Sequence, residues 1–269
     1  MLKTRIATAL VLAALLLVVL FYLPPGAGVG MVAALTLLGA WEWARFAGLE
    51  GPVARLSYVL LAAILCALAW DHTYRPLEWR LLMVAATLWW LVAFGWIVFL
   101  PERINAIAAG LAGLLVLVPA WVGLGRLLKI ETPVAGTELL FFMLLLVFAA
   151  DIGAFFAGRR YGRVALAPRV SPKKTWEGLL GGLAAGLAAA LAGSAWFHYP
   201  PLAFVALGGA VVLASVVGDL TESMFKRHAG LKDSGTMLPG HGGVLDRIDS
   251  ITSAVPVYVL GLGWLGAFG

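Results

Sequence analysis

Nine apolar runs, each about 20 residues long, follow one another through this chain with only short polar breaks between them. They fall near 6–23, 29–48, 54–70, 80–100, 104–128, 138–158, 175–197, 202–225 and 245–266. Coiled as a helix, such a run spans the hydrocarbon core of a bilayer, and in lipid the backbone must satisfy its own hydrogen bonds. The expected fold class is therefore all-α, a polytopic membrane protein with about nine transmembrane helices. Composition agrees: 62% of the residues are hydrophobic and the mean hydropathy is +0.97, where a soluble domain is about half apolar. The first run follows Lys3 and Arg5, as in a signal peptide. Leu23-Pro24-Pro25-Gly26 makes a poor cleavage site, so this run is expected to remain as a span.

Charge gives the expected orientation. The net charge of +5 could speak for nucleic acid, but the basic residues collect in particular loops and no nucleic-acid partner is expected. With the N-terminus cytoplasmic, fifteen of the nineteen Lys and Arg residues lie in inner loops, leaving Arg75, Arg80, Arg126 and Lys129 outside. Nine spans then put the C-terminus outside and both charged, motif-like loops on the cytoplasmic face. The single cysteine, Cys66, excludes an intrachain disulfide and a zinc–cysteine site.

Residues 1–130 carry little chemistry and read as a scaffold of transmembrane helices with room for oligomer contacts. Their one unusual cluster, Trp41-Glu42-Trp43-Ala44-Arg45, is expected at the aromatic belt of the interface, with a headgroup role as the alternative. Asp71, His72, Arg75, Glu78 and Arg80 read as a solvated outer loop. Residues 131–269 read as the catalytic region. Asp151 sits inside an apolar run, where an unpaired carboxylate costs about 2.5–3.5 kcal/mol on insertion scales and so marks a functional position. Ser171-Pro172-Lys173-Lys174-Thr175-Trp176-Glu177-Gly178 has the look of a helix start, whose free N–H groups favour anions. Gly178, Gly182 and Gly186 then recur every four residues, the spacing of a close helix contact.

The densest charge lies in Ser223–Ser250, SMFKRHAGLKDSGTMLPGHGGVLDRIDS. Lys and Arg neutralise phosphate oxygens, Asp holds hard divalent cations, and glycines such as Gly240, Gly242 and Gly243 let backbone N–H groups approach an anion. Asp219, Glu222, Ser223 and Lys226 share one helix face, and Asp246, Asp249, Ser250 and Ser253 share another. Two such helix ends would gather carboxylates around one or two Mg2+ ions. An interhelical salt bridge such as Lys226–Asp246 is the alternative. His241, among glycines, suits a general acid or a phosphate donor.

The pattern S-x-x-K-R, four residues, K-D-x-G, then P-G-H-G-G-x-x-D-R-x-D resembles the hallmark motif of the phosphatidate cytidylyltransferases, or CDP-diacylglycerol synthases. SPKKTWEG resembles a second motif of that family, so the likeness covers roughly the last 120 residues. The resemblance implies an enzyme that makes CDP-diacylglycerol and pyrophosphate from CTP and phosphatidate for phospholipid biosynthesis. It also implies Mg2+ as cofactor, with a monovalent cation left open, a homodimer, and a bacterial-type inner membrane. On that reading Asp246, Lys226, Arg227, Lys232, Arg247 and His241 are catalytic. Ser223, Lys173, Lys174, Asp233, Gly242 and Gly243 bind substrate, while Asp219, Asp246, Asp249 and Asp151 hold metal. A transporter is the rival from another class, because buried carboxylates and glycine-rich spans are also its marks. A prenol kinase or ether-lipid synthase is the rival within CTP chemistry.

Overall fold

The computed structural model describes residues 2–72, 75–130, 136–238, 240 and 242–268. Among these are nine helices: α1 (Leu2–Phe21), α2 (Pro25–Trp43), α3 (Pro52–His72), α4 (Pro76–Phe99), α5 (Ala106–Leu128), α6 (Gly136–Tyr161), α7 (Trp176–Trp196), α8 (Pro201–His228) and α9 (Leu245–Trp264). Four of them open on a proline, whose missing N–H costs nothing at a helix start. Asn105 caps α5, accepting from the Ala108 backbone N–H at 2.8 Å.

Six of these helices, α3 to α8, are long and apolar enough to cross a membrane. Their outward faces carry Leu56, Leu60, Ile64, Leu81, Leu88 and Leu91 exposed, as lipid-facing surfaces do. In α1 the apolar stretch Leu10–Phe21 is shorter. Glycines and Glu42 dilute the hydropathy of α2, and Asp246, Arg247 and Asp249 do the same at the start of α9. This is an integral membrane protein of helices. The C-terminal helices α6, α7, α8 and α9 pack on one another in succession, and α9 also packs against α2, α4 and α5.

One element departs from an all-helical chain. Between α6 and α7 lies an antiparallel hairpin, β1 (Ala165–Ala167) and β2 (Ser171–Thr175), pairing Ala165 with Thr175 and Ala167 with Ser171. The SPKK segment expected to open a helix is therefore a strand. Proline disfavours a helical Ser171 before it and is tolerated in a strand with a free edge. Helix α7 starts later, where the Thr175 side chain accepts from the Gly178 N–H at 3.1 Å.

The glycine stripe packs as expected. Gly178, Gly182 and Gly186 are buried. A Cβ on Gly182 would lie 2.8 Å from the Ala150 carbonyl oxygen of α6, and one on Gly186 would collide with Val212 of α8. Of the tryptophan cluster, Trp41 is half-buried with Arg55 over its ring at 5.6 Å. Trp43 is 1% exposed: its Nε1 donates to the Ala109 carbonyl at 2.8 Å and its ring meets Phe225 of α8. Glu42 is buried as well. The end of α2 is buried on several sides, with Ala40, Ala44 and Phe46 buried beside these two residues.

Candidate active site

The hairpin and the helices α6, α7, α8 and α9 line a cavity of about 260 Å3. Into it the fold brings Asp151 from α6, Lys173 and Lys174 from β2, Asp219 from α8 and Ser250 from α9. Lys174 Nζ forms a salt bridge with Asp219, and Ser223 Oγ donates to the other Asp219 oxygen at 3.3 Å. Residues from separate stretches of sequence thus meet as cation and carboxylate at one mouth. Gly218 makes this possible. A Cβ there would sit 2.5 Å from the Asp249 carbonyl oxygen and strike the Ser253 hydroxyl, so only glycine lets α8 and α9 cross this closely.

The crossing lays one acidic stripe on the other. Lys226 Nζ lies 2.7 Å from Glu222 Oε2 and 2.6 Å from Asp246 Oδ1, with side-chain exposures of 12%, 2% and 6% for the three residues. The second Asp246 oxygen accepts from Ser234 N at 2.9 Å, Ser234 Oγ at 2.9 Å and Gly243 N at 2.8 Å. The salt bridge that competed with metal ligation at Asp246 is therefore present, and both of its oxygens are occupied by protein donors. Lys226 likewise spends its charge on carboxylates. The Gly243 N–H, expected to cradle phosphate, turns inward to Asp246.

The loop is fastened from the other half of the chain. Glu42 Oε2 accepts from Leu245 N at 2.7 Å and lies 3.0 Å from Ser234 Oγ, whose one proton it shares with Asp246, and Oε1 accepts from Val244 N at 3.1 Å. Helix α9 thus begins on a carboxylate supplied by α2, which answers both its free N–H groups and its positive end. Arg45 adds a hydrogen bond to the Ser234 carbonyl at 3.2 Å. Gly235 and Gly243 leave room for it, since a Cβ on either would strike the Glu42 carboxylate.

The remaining expected residues are spread around this centre. Lys232 and Asp233 are exposed on the loop. Gly242 has φ +83, a left-handed turn closed by Leu238 N donating to Gly242 O at 2.9 Å. Arg227 lines a separate pocket with Arg169 and His228, away from its neighbour Lys226. Arg247 is exposed. His241 lies outside the described residues, as do the side chains of Asp71 and His72.

Residues 3–264 match the family model of the cytidylyltransferases. This chain belongs to the cytidylyltransferase family. It is similar to a phosphatidate cytidylyltransferase of Pseudomonas aeruginosa, 45% identical over 277 residues that cover 100% of this chain and 99% of the relative. Another, from Haemophilus influenzae, is 39% identical over 285 residues, covering 96% and 97%. One from Staphylococcus aureus is 39% identical over 140 residues, covering 51% and 54%.

For a cytidylyltransferase the question is which groups here suit a divalent cation. Among the described residues no three acidic or imidazole side chains are arranged to hold an ion as they stand. What the chain does present is a file of carboxyls in Coulomb reach of one another, Asp151, Asp219, Asp249 and Glu222. The buried Glu222 Oε1 has no hydrogen-bond donor, and the group it belongs to meets the Asp249 carboxyl. Two carboxyls in contact stay together by sharing a proton or a cation. Hard oxygen donors with one orphaned atom fit Mg2+.

Glu42, Arg45 and Ser234 fasten the motif loop, a part that sequence reading did not give them. The signal was available for Glu42, a single carboxylate in the apolar run 29–48, the criterion that singled out Asp151. Arg45 stood out only as part of the Trp41–Arg45 cluster, and Ser234 carries no such mark.

Proposed function

We propose that this chain joins CTP to phosphatidate, giving CDP-diacylglycerol and pyrophosphate for phospholipid synthesis. The observation that carries the reading is the cavity where Lys173 and Lys174 face Asp151 and Asp219 at the ends of membrane helices. A lipid phosphate and a water-borne triphosphate can meet only at such a boundary. The full-length likeness to phosphatidate cytidylyltransferases supports the same substrates.

A phosphate monoester oxygen of phosphatidate attacks the α-phosphorus of CTP, and the bond to the β-phosphate's bridging oxygen breaks. The nucleophile is already anionic near neutral pH, so no strong base is needed. The obstacle is repulsion between two phosphates. Lys173, Lys174 and Arg247 offset it, with Lys232 and Arg227 as further cations on the same face, and Ser223 and Asp233 orient groups at the rim. His241 serves as a phosphate donor or acid. Asp219, Asp249 and Asp151 would hold Mg2+, which when bound supplies Lewis-acid stabilisation of phosphate charge. Asp246, with both oxygens committed, positions the loop and Lys226, and Gly242 and Gly243 shape its turn.

All nine helices cross the membrane in this reading, with the N-terminus cytoplasmic, the C-terminus outside and the site facing the cytoplasm of a bacterial inner membrane. Residues 1–130 serve as scaffold and 131–269 as catalytic region, and two copies form a homodimer, as the family resemblance implies. The test is pyrophosphate release from CTP by protein purified in detergent. Release that needs both phosphatidate and Mg2+ supports the reading. Pyrophosphate release without phosphatidate, or conversion of CTP to CDP with a prenol in its place, overturns it.

A further inference from the structure

A second cavity, of about 250 Å3, lies between α1, α2, α5, α6 and α9. Its walls are almost wholly carbon, and the one charged side chain among them is Arg247. A void of this size lined by leucines stays dry and takes up an apolar guest.

Its position relative to the polar cavity says which guest. Leu140, Leu144 and Phe148 of α6 line the apolar cavity, while Asp151 and Phe155 of the same helix line the polar one. Steps of four, four, three and four residues keep all five on one helix face. The two cavities therefore follow each other along a single stripe of α6, with Leu140 roughly 16 Å from Asp151 at the helical rise. Helix α9 divides its faces in the same way: Ile248 and Ile251 turn to the apolar side and Ser250 to the polar side. Arg247 lines the apolar cavity and lies three residues from Ser250, on the side of α9 that turns toward the polar one. It makes no salt bridge among the described residues.

A long hydrocarbon slot, a cation at its mouth and a phosphate-binding cavity beyond that cation describe the shape of a lipid with an anionic head. We infer that the apolar cavity holds one acyl chain of the phosphatidate substrate, extended along α6 from Arg247 toward Leu140, while its phosphate reaches the Lys173–Lys174 cavity. This rests on the proposed activity and adds to it a chain-length sensor, because the buried Leu140 stands at the end of the α6 stripe away from Asp151.

Plugging the far end tests it. Leu124→Trp and Leu140→Trp are assayed with dioctanoyl- and dioleoyl-phosphatidate at fixed CTP. Burial of even two methylenes is worth about tenfold, so kcat/KM for the dioleoyl lipid should fall by that order while the dioctanoyl lipid and the KM for CTP change little. Variants that use both lipids as the parent does overturn the assignment. Because a plugged variant can fail to fold, the unaltered protein in nanodiscs is also photolabelled with phosphatidate carrying a diazirine near the chain end. Adducts on Leu140, Leu144 or Leu124 that excess phosphatidate competes away support it. Adducts confined to outward residues such as Leu81 and Leu91, or insensitive to competitor, overturn it. Turnover of dioleoyl-phosphatidate by the unaltered protein separates the two questions: its absence defeats the proposed activity, whereas unresponsive variants defeat only the slot.

Discussion

The carboxylate of Glu42 lies 2.7 Å from the backbone nitrogen of Leu245, although 203 residues separate the two in sequence. Through this contact α2 supplies the cap that α9 lacks, since Val244 at the N-cap position makes no side-chain cap hydrogen bond. The motif loop is thus held between a cap from one half of the chain and a salt bridge, Lys226–Asp246, from the other.

Replacing that cap should loosen the loop before it harms anything else. Glu42→Ala leaves the Val244 and Leu245 N–H groups without their acceptor, at about 1–3 kcal/mol for each buried donor left unpaired, while the Ser234 hydroxyl keeps Asp246. Glu42→Gln keeps one acceptor oxygen and should recover part of the loss. Thermal unfolding in detergent, followed beside CTP turnover, reads both effects. An alanine variant as stable and active as the parent would remove Glu42 from the site.

Lys226 sits between two buried carboxylates, so its removal is a charge problem more than a lost contact. Lys226→Met should destabilise by about 3–5 kcal/mol, the cost of stranding a buried partner. Adding Glu222→Gln relieves one stranded charge and should restore stability in part. A double-mutant cycle in which the two changes simply add would show that the pair is not coupled.

The close crossing of α8 and α9 depends on a missing side chain. Gly218→Ala drives a methyl into Ser253 and the Asp249 carbonyl, an overpacking of about 1–3 kcal/mol, and should also separate the acidic stripes enough to depress turnover. Gly95→Ala is the control, since nothing lies within 4 Å of its added methyl. Equal behaviour of the two variants would count against the crossing as the feature that assembles the site.

Asp219 and Lys174 form the ion pair at the mouth of the polar cavity. If Asp219 holds metal, Asp219→Asn should raise the Mg2+ concentration needed for half-maximal turnover. Lys174→Ala should instead raise the KM for a phosphate substrate and leave the Mg2+ requirement near its original value. A Mg2+ titration that Asp219→Asn leaves unmoved assigns that carboxylate to the salt bridge alone.

Orientation has its own test. A reporter fused after Gly269 should be accessible from outside the inner membrane, and one inserted in the 162–164 turn should be accessible only from the cytoplasm. The same side for both would break the nine-span arrangement.

Read alone, the sequence determined the helices, because a run of about 20 apolar residues has little choice but to coil, and its polar breaks mark the ends. It also determined which C-terminal residues share a face, since Asp219, Glu222 and Lys226 follow from helical spacing. The hairpin at Ser171–Thr175 was less legible: a proline near a helix start and a proline in a short strand look alike without the partner strand. Only the tertiary structure decided that Asp246 answers Lys226 and Ser234, that Lys174 reaches Asp219, and that Glu42 caps α9. Those contacts join residues far apart in the chain, and helical periodicity carries no information about which faces meet. The meeting is set by where glycines such as Gly218 permit close approach and by where a buried charge finds its partner.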